Sequence, residues 1–365
     1  MTPPSHLLHT EEEEAVRAAV RALLTDRCDP ATVLARTDAD APYDRELWKA
    51  LTEGMGLAGL LVPEDRGGQG ATHREAAVVL EELGRAVAPV PYLTSAVIAT
   101  EALLVCGGAA ADLLAALASG RTVGALAVPF ATAPGDAYPL VRYADGVVRG
   151  EVTGVADAGA ADVLLVPSDG GLCAVDTDRG GVTVTPLTSL DRTRPLATVT
   201  FDAAPARPLA PDAAPPVALG LRAGAGLLAS EQLGLAEWCL AQTVRHTKER
   251  HQFNRPVGSF QALKHRLAQV WLDVVNLRAA ARNAADALAT GSDEPDLATA
   301  LAQAFASPVA VRAAEEALQL HGGIGMTWEH PVHLALKRAK ADSLALGTAG
   351  RHKEALAGLV ALPPP

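Results

Sequence analysis

The sequence predicts an α+β fold with three parts: an N-terminal α-helical domain, a middle β-sheet domain and a C-terminal four-helix bundle. Three observations predict it. Alanine- and leucine-rich runs with helical periodicity fill both ends of the chain. Short β-rich runs between turn signals occupy the stretch from Thr122 to about Phe201. A compact corner, Arg250 to Gln261, separates two long helical patterns. The boundaries expected are 1–120, 121–212 and 213–365.

In the first part, Thr10 followed by Glu11 to Glu14 reads as a capping box, with Glu13 reaching back to the cap. Ala15 to Leu24 continues that helix, and Leu47–Glu53, Glu75–Ala86, Ala96–Cys106 and Ala109–Ala118 repeat the pattern. A glycine-rich loop at Arg66 to Gly70 interrupts them, and Gly120 ends them. Strands are expected at Ala125–Val128, Val147–Val152, Val163–Val166, Val182–Pro186 and Ala197–Phe201, with hairpin signals at Asp145-Gly146 and Asp169 to Gly171. Pro205 to Pro216 reads as a proline-rich exit. Helices then follow at Val217–Glu249, Phe260–Thr290, Asp296–Leu320 and Pro331–Leu346, with short corners that suit an antiparallel bundle.

Composition bounds the function. The chain has 365 residues, 49% apolar and 20% charged, enough for a large core. A formal charge of −11 argues against nucleic acid or an anionic membrane as the main partner. Cys28, Cys106, Cys173 and Cys239 are scattered without metal spacing, which suits a reducing cytoplasm. The start, Met1 to Thr10, lacks a charged head and an apolar stretch, so no leader is expected, and no apolar run reads as a bilayer span.

The corner carries the chemistry. Arg250-His-Gln-Phe-Asn-Arg-Pro-Val-Gly-Ser-Phe-Gln261 packs two arginines, two phenylalanines and two glutamines into a chain poor in aromatics. Arginine can grip a phosphate through paired hydrogen bonds. Phenylalanine offers a flat face to a purine. Pro256 and Gly258 mark the turn, with Gly258 supplying left-handed freedom and Ser259 a helix cap. A solvated turn with one phenylalanine pinned into the core is the plainer alternative.

This stretch resembles the segment of flavin-dependent acyl-CoA dehydrogenases in which Arg-x-Gln-Phe-Gly is followed, after a short gap, by Phe-Gln. Gln319-Leu-His-Gly-Gly-Ile-Gly325 is similar to that family's Gln-x-x-Gly-Gly-x-Gly segment, and the likeness extends to Leu57–Gly70 near the start. The resemblance implies FAD lying between the β-domain and the bundle. Arg250 and Gln252 would hold its pyrophosphate, and Phe253, Phe260 and Gln261 would wall its adenine. Gln319, His321, Gly322 and Gly323 would approach from a neighbouring subunit, and Gly347 and Thr348 would lie near the flavin. It implies an acyl thioester substrate (on CoA or a carrier protein), an electron-transfer acceptor, and a homo-dimer, homo-tetramer or heteromer with a related catalytic subunit.

The departures matter as much as the matches. The family's usual catalytic glutamate precedes the Gly-Thr pair, where this chain has Leu346. The alternative glutamate position on the first bundle helix is Gly224. Ala127-Val-Pro129 stands for the family's Thr-Glu-Pro, and Gly154 and Ala156 replace the tryptophan and threonine beside the flavin ring. Three carboxylates are candidate substitutes for the base. Asp342 lies one helical turn before Leu346, Glu231 two turns after Gly224, and Glu329 near the glycine turn. Two further patterns read as structure: Gly224 to Ala229 matches a dinucleotide fingerprint but sits inside a helical pattern, where close helix packing explains it. His321, His330 and His333 lack the carboxylate or cysteine company of a metal site. The activity expected is α,β-desaturation of an acyl thioester. The alternatives are a non-catalytic subunit that completes an FAD site and a redox-neutral enzyme on the same fold.

Overall fold

The computed structural model describes residues 7–39, 42–292 and 294–362; the first residues of the chain, Met1 to His6, lie outside these. Helices α1 (Glu11–Arg27), α2 (Pro30–Asp38), α3 (Arg45–Thr52), α4 (His73–Ala86), α5 (Thr100–Leu104) and α6 (Ala111–Ala118) form the first part. The Thr10–Glu13 capping box forms as expected. A second closes on α4 between Thr72 and Glu75, and Asp29 and Asp44 cap α2 and α3. The run expected at Ala96–Cys106 begins earlier, as a π-helical stretch Tyr92–Ala99 leading into α5. Every residue of that stretch is buried, so packing outweighs local preference there.

Eight strands follow: β1 (Gly124–Leu126), β2 (Arg142–Ala144), β3 (Val147–Ala156), β4 (Val163–Ser168), β5 (Gly171–Asp176), β6 (Val182–Pro186), β7 (Leu196–Pro205) and β8 (Arg207–Ala210). They make two sheets, ordered β1-β4-β5-β8 and β2-β3-β7-β6. Both hairpin signals hold: Asp145 and Gly146 turn with φ of 52° and 78°, and Gly171 closes β4 onto β5. The inner faces pack Leu164, Val166 and Val175 of one sheet against Val152, Val199 and Phe201 of the other. Leu165, Leu172 and Ala174 point the other way, into the main helical core. Burial on both faces explains the unbroken apolar run of β4. The proline-rich exit contains β8, with Pro208 tolerated on an edge strand.

The last part comprises α7 (Ala214–Glu249), α8 (Gln261–Thr290), α9 (Pro295–His321), α10 (Val332–Asp342) and α11 (Ala349–Leu359). Between α7 and α8 lies a miniature hairpin of β9 (His251–Gln252) and β10 (Arg255–Pro256). The fourth helix of the bundle is shorter than expected, ending at Asp342, and α11 adds a fifth that packs on α9. Pro295–Met326 is long and apolar enough to cross a membrane by length and composition, but 67% of its most apolar window is buried inside the protein.

Helices α4 and α7 cross at two glycines. A Cβ added at Gly84 would lie 2.0 Å from the carbonyl oxygen of Glu231, and one at Gly234 would lie 1.7 Å from that of Glu81. The crossing is therefore closed to any side chain at either position. Gly224 and Gly226 likewise pack against Ile98, Leu288 and Thr299, so the dinucleotide-like pattern is a helix-packing feature. Gly234→Ala is expected to cost about 1–3 kcal/mol through overpacking. Gly358→Ala, on α11 with open space around it, should be neutral or gain up to about 1 kcal/mol. Urea unfolding of the two variants checks the contrast.

Candidate functional site

The corner after α7 differs from its expectation in detail. The left-handed residues are Phe253 (φ 52°) and Asn254 (φ 60°), at the tip of the β9–β10 hairpin, rather than Gly258. Asn is a favoured residue there, and its neighbour's strain is held by two-residue pairing of Arg255 with Gln252. Ser259 does not cap α8; the cap position is Phe260, and Ser259 lies in a short 3-10 turn. The turn spends one residue more than the cap reading allowed.

Arg250, Gln252 and Gln261 are exposed, and Phe253 is 87% exposed. Phe253 meets Phe260 edge to face with ring centroids 6.2 Å apart, and the Arg255 guanidinium covers the Phe260 ring at 3.9 Å. Phe253 is therefore not pinned into the core, against the plainer alternative for this turn. The second segment comes to the same end of the bundle. His246, one turn before Arg250, stacks on His321 at 4.4 Å. Gln319, Gly322 and Gly323 are exposed, and a Cβ added at either glycine would meet nothing within 4 Å. Backbone groups there can be approached closely.

A cavity of about 780 Å³ lies between the β-sheets and the bundle, walled by Pro129, Phe130, Gly154, Leu196, Leu344 and Ala345. Gly154 adopts φ of 82°, and a Cβ there would meet only Pro129 Cα, at 3.9 Å. The absent side chain leaves a cradle for a flat apolar group. Exposed arginine, aromatic and open glycine backbone at one site, and an apolar slot at the other, suit the two ends of a flavin dinucleotide.

The two positions where a base was expected are neighbours. A Cβ added at Gly224 would sit 2.6 Å from Ile98 and 3.2 Å from Leu346 Cδ1. Leu346 is fully buried at φ 52°, and its N–H donates to the Phe130 carbonyl at 2.7 Å. The gap beside it, lined by Thr94, Ile98, Phe130 and Ala156, has room for about 10 Å³. That is about one water molecule. Gly347 cannot carry a side chain, since a Cβ would lie 2.6 Å from Ala133; Thr348 caps α11 through Arg351 N–H.

The substitute carboxylates are occupied. Because α10 ends at Asp342, Leu346 does not share its helix face; residues 343–347 turn away. Asp342 Oδ1 accepts from Arg194 at 2.8 Å, and its Oδ2 is sealed without a partner. Glu231 accepts from Arg194 at 2.6 Å and from Arg338 at 2.5 Å, one guanidinium to each oxygen. Arg338 also grips Asp191 and Thr193. Glu329 is exposed, and the neighbouring Thr327 hydroxyl donates to the Ile324 carbonyl at 2.8 Å. Burial pushes Glu231 up, but the two arginines outweigh it and hold its carboxyl below the usual range. Burial, reinforced by Glu231, pushes Asp342 up to about 8. Sequence reading missed Arg194, Arg338 and Asp191. The spacing of Arg338 and Asp342 on one helix was a weak signal; Arg194 gave none, being remote in sequence from both partners.

Two family matches cover the two helical parts of the chain: the acyl-CoA dehydrogenase N-terminal domain over residues 10–121 and the C-terminal domain over 217–359. The chain belongs to the acyl-CoA dehydrogenase family. Its relatives include acyl-CoA dehydrogenase IpdE2 of Mycobacterium tuberculosis, 37% identical over 95% of this chain and 94% of that protein. The fold matches a chain of the ChsE4–ChsE5 complex from Mycobacterium tuberculosis with TM-score 0.88, 27% identity, and coverage of 99% and 100%. It also matches a variant of the Tcur3481–Tcur3483 steroid ACAD with TM-score 0.85, 31% identity, and coverage of 96% and 98%. Membership places the chain among oxidoreductases that act on CH–CH bonds.

Asp342 keeps its proton in the folded chain to about pH 8, whereas an unfolded aspartate loses it near pH 4. The folded state thus holds the extra proton, and stability contributed by this group falls as pH rises from about 4 to 8. Asp342→Asn keeps the acceptor for Arg194 and removes the surplus charge, so it should flatten that slope and raise the unfolding midpoint at pH 8. Glu231→Gln leaves two buried guanidinium groups short of counter-charge and should cost about 3–5 kcal/mol. Urea titrations at pH 6 and pH 8 check both.

Proposed function

We propose that this chain is one subunit of an FAD-dependent acyl-CoA dehydrogenase assembly, and that it completes the cofactor site without supplying the catalytic base. The carrying observation is the pairing of Leu346 with Gly224 over a gap of about 10 Å³. Desaturation needs a carboxylate within hydrogen-bond reach of the substrate's α-proton. Here both base positions are apolar, the gap beside them is small, Glu231 is tied into ion pairs with Arg194 and Arg338, and Asp342 is hydrogen-bonded to Arg194. FAD, when bound, supplies the acceptor for the hydride that leaves the β-carbon.

This chain's own part is binding. Arg250 and Gln252 would hold the pyrophosphate of FAD whose ring lies in a related subunit, with Phe253, Phe260 and Gln261 against the adenine. Gln319, His321, Gly322 and Gly323 would add open backbone beside the phosphates, and Gly347 and Thr348 would border the ring end. A heteromer is supported by the likeness to a chain of the ChsE4–ChsE5 complex. A bulky, steroid-derived acyl thioester as the assembly's substrate is supported by the likeness to a steroid ACAD. An electron-transfer protein would reoxidise the flavin, in the cytoplasm. A second reading, FAD carried in this chain's own slot, is favoured by the 780 Å³ cavity and the cradle at Gly154.

The native assembly, purified through a tag on this chain, should contain a second, related subunit and be yellow, with its colour bleached by thioester. Arg250→Ala removes a charge-assisted contact of about 1.5–3 kcal/mol, or about 10- to 150-fold in FAD affinity. Flavin retained per assembly after gel filtration reads that loss. A homo-oligomer of this chain alone that thioester bleaches would refute the division of labour.

A further inference from the structure

Three imidazoles stack where the two cofactor-facing segments meet. His246 near the end of α7, His321 at the end of α9 and His330 before α10 lie ring against ring, with successive centroids 4.4 Å apart and planes tilted by 32° and 50°. Each comes from a different element, so the stack pins the segment from Gly322 to Met326 to α7, one turn from Arg250. Its hydrogen bonds fix the protons: His321 Nδ1 donates to the Ala317 carbonyl at 2.6 Å, and His330 Nδ1 accepts from Val332 N–H at 3.3 Å. The second bond requires an unprotonated Nδ1. Among the described residues no cluster here could hold a metal ion.

We infer that the stack of His246, His321 and His330 is a positioning device, which holds the Gly322–Gly325 backbone beside the Arg250 corner only while its rings are neutral. The inference rests on the role proposed for these two segments. The groups facing the stack are Arg245, Glu249 and Arg250 from α7 and its end, and His333 from α10, beside Lys337. Cations outnumber the single carboxylate, so a proton added to any ring meets net repulsion. Burial and these neighbours lower all three imidazoles, with His330 pushed down to about 4.

An opened segment frees His330 to titrate normally, so it takes up protons that the closed stack refuses. Closure is complete above pH 6.5 and weakens as pH falls towards 4. For His330 alone, the opening equilibrium rises roughly 30-fold between pH 7.5 and pH 5.0. Hydrogen-exchange protection of amides 322–332 in the full-length chain reads it directly, corrected for the intrinsic pH dependence of exchange. Wild type should lose protection by about that factor between the two pH values. His330→Phe keeps a flat ring with no proton to gain and should hold protection at both. His330→Ala should be unprotected at both. Equal acid losses in wild type and His330→Phe, or wild-type protection in His330→Ala at pH 7.5, would overturn the inference. Should His330→Phe not fold, His330→Tyr serves the same comparison, since its ring gains no proton between these pH values. Flavin retention at pH 5.0 in the native assembly is the second readout: His330→Phe should retain more than wild type, and equal retention overturns the positioning role. Exchange is read on this chain alone, so it succeeds or fails independently of whether Arg250 binds a phosphate.

Discussion

Glu231 carries one guanidinium on each carboxylate oxygen, and the joint between the β region and the bundle depends on that arrangement. Arg194 reaches it from the loop before β7 and Arg338 from α10, while Glu231 itself lies on α7. All three side chains are buried. Burying such charges is costly, and a pair that lost one partner would be worse than no pair at all. The cluster is therefore all-or-none, which makes it a device for fixing one relative placement of its elements. What puts Glu231 there is the glycine crossing of α4 and α7. With Gly84 seated on its carbonyl oxygen, Glu231 has its backbone fixed within the core and its carboxylate directed at both arginines.

The same joint accounts for the chemistry available. Asp342, drawn into the cluster through Arg194, is held away from any role at the position of Leu346. The Phe130 carbonyl, bonded to Leu346, closes the neighbouring gap, and Phe130 N–H in turn donates to Gly154. One side of the β–bundle junction is thereby sealed, and the other remains an apolar slot. The exposed aromatic and basic groups collect instead at the far corner, around Phe253, Arg250 and the imidazole stack. The interior beside Leu346 is filled, and the corner around Arg250 is exposed.

Much of this was legible in the sequence. Helical periodicity placed the long helices within a few residues, because one apolar face repeats every turn whatever it packs against. Asp145-Gly146 and Thr10–Glu13 announced a turn and a cap, because both depend on groups a few residues apart. The corner at Arg250 and the segment at Gln319 were recognisable as motifs, and the absence of a glutamate at 346 and 224 was plain. β2, β5 and β8 escaped: β2 and β8 are short edge strands with polar or proline content, and β5 is a short buried run without alternation. The end of α10 at Asp342 escaped as well, because the left-handed turn at Leu346 is imposed by its bond to Phe130.

The sequence by itself determined the element types, the family and the missing base, all of which are properties of local pattern. Only the tertiary structure decided where the candidate carboxylates lie: Asp342 and Glu231 are buried against arginines. Asp342 and Glu231 look available in one dimension; their arginine partners lie 148 and 37 residues away from them along the chain at Arg194. It likewise brought His246, His321 and His330 into one stack from three separate elements. Ion pairs and ring stacks act over a few ångströms in space, and no local pattern records which distant residues the packing of helices will bring that close.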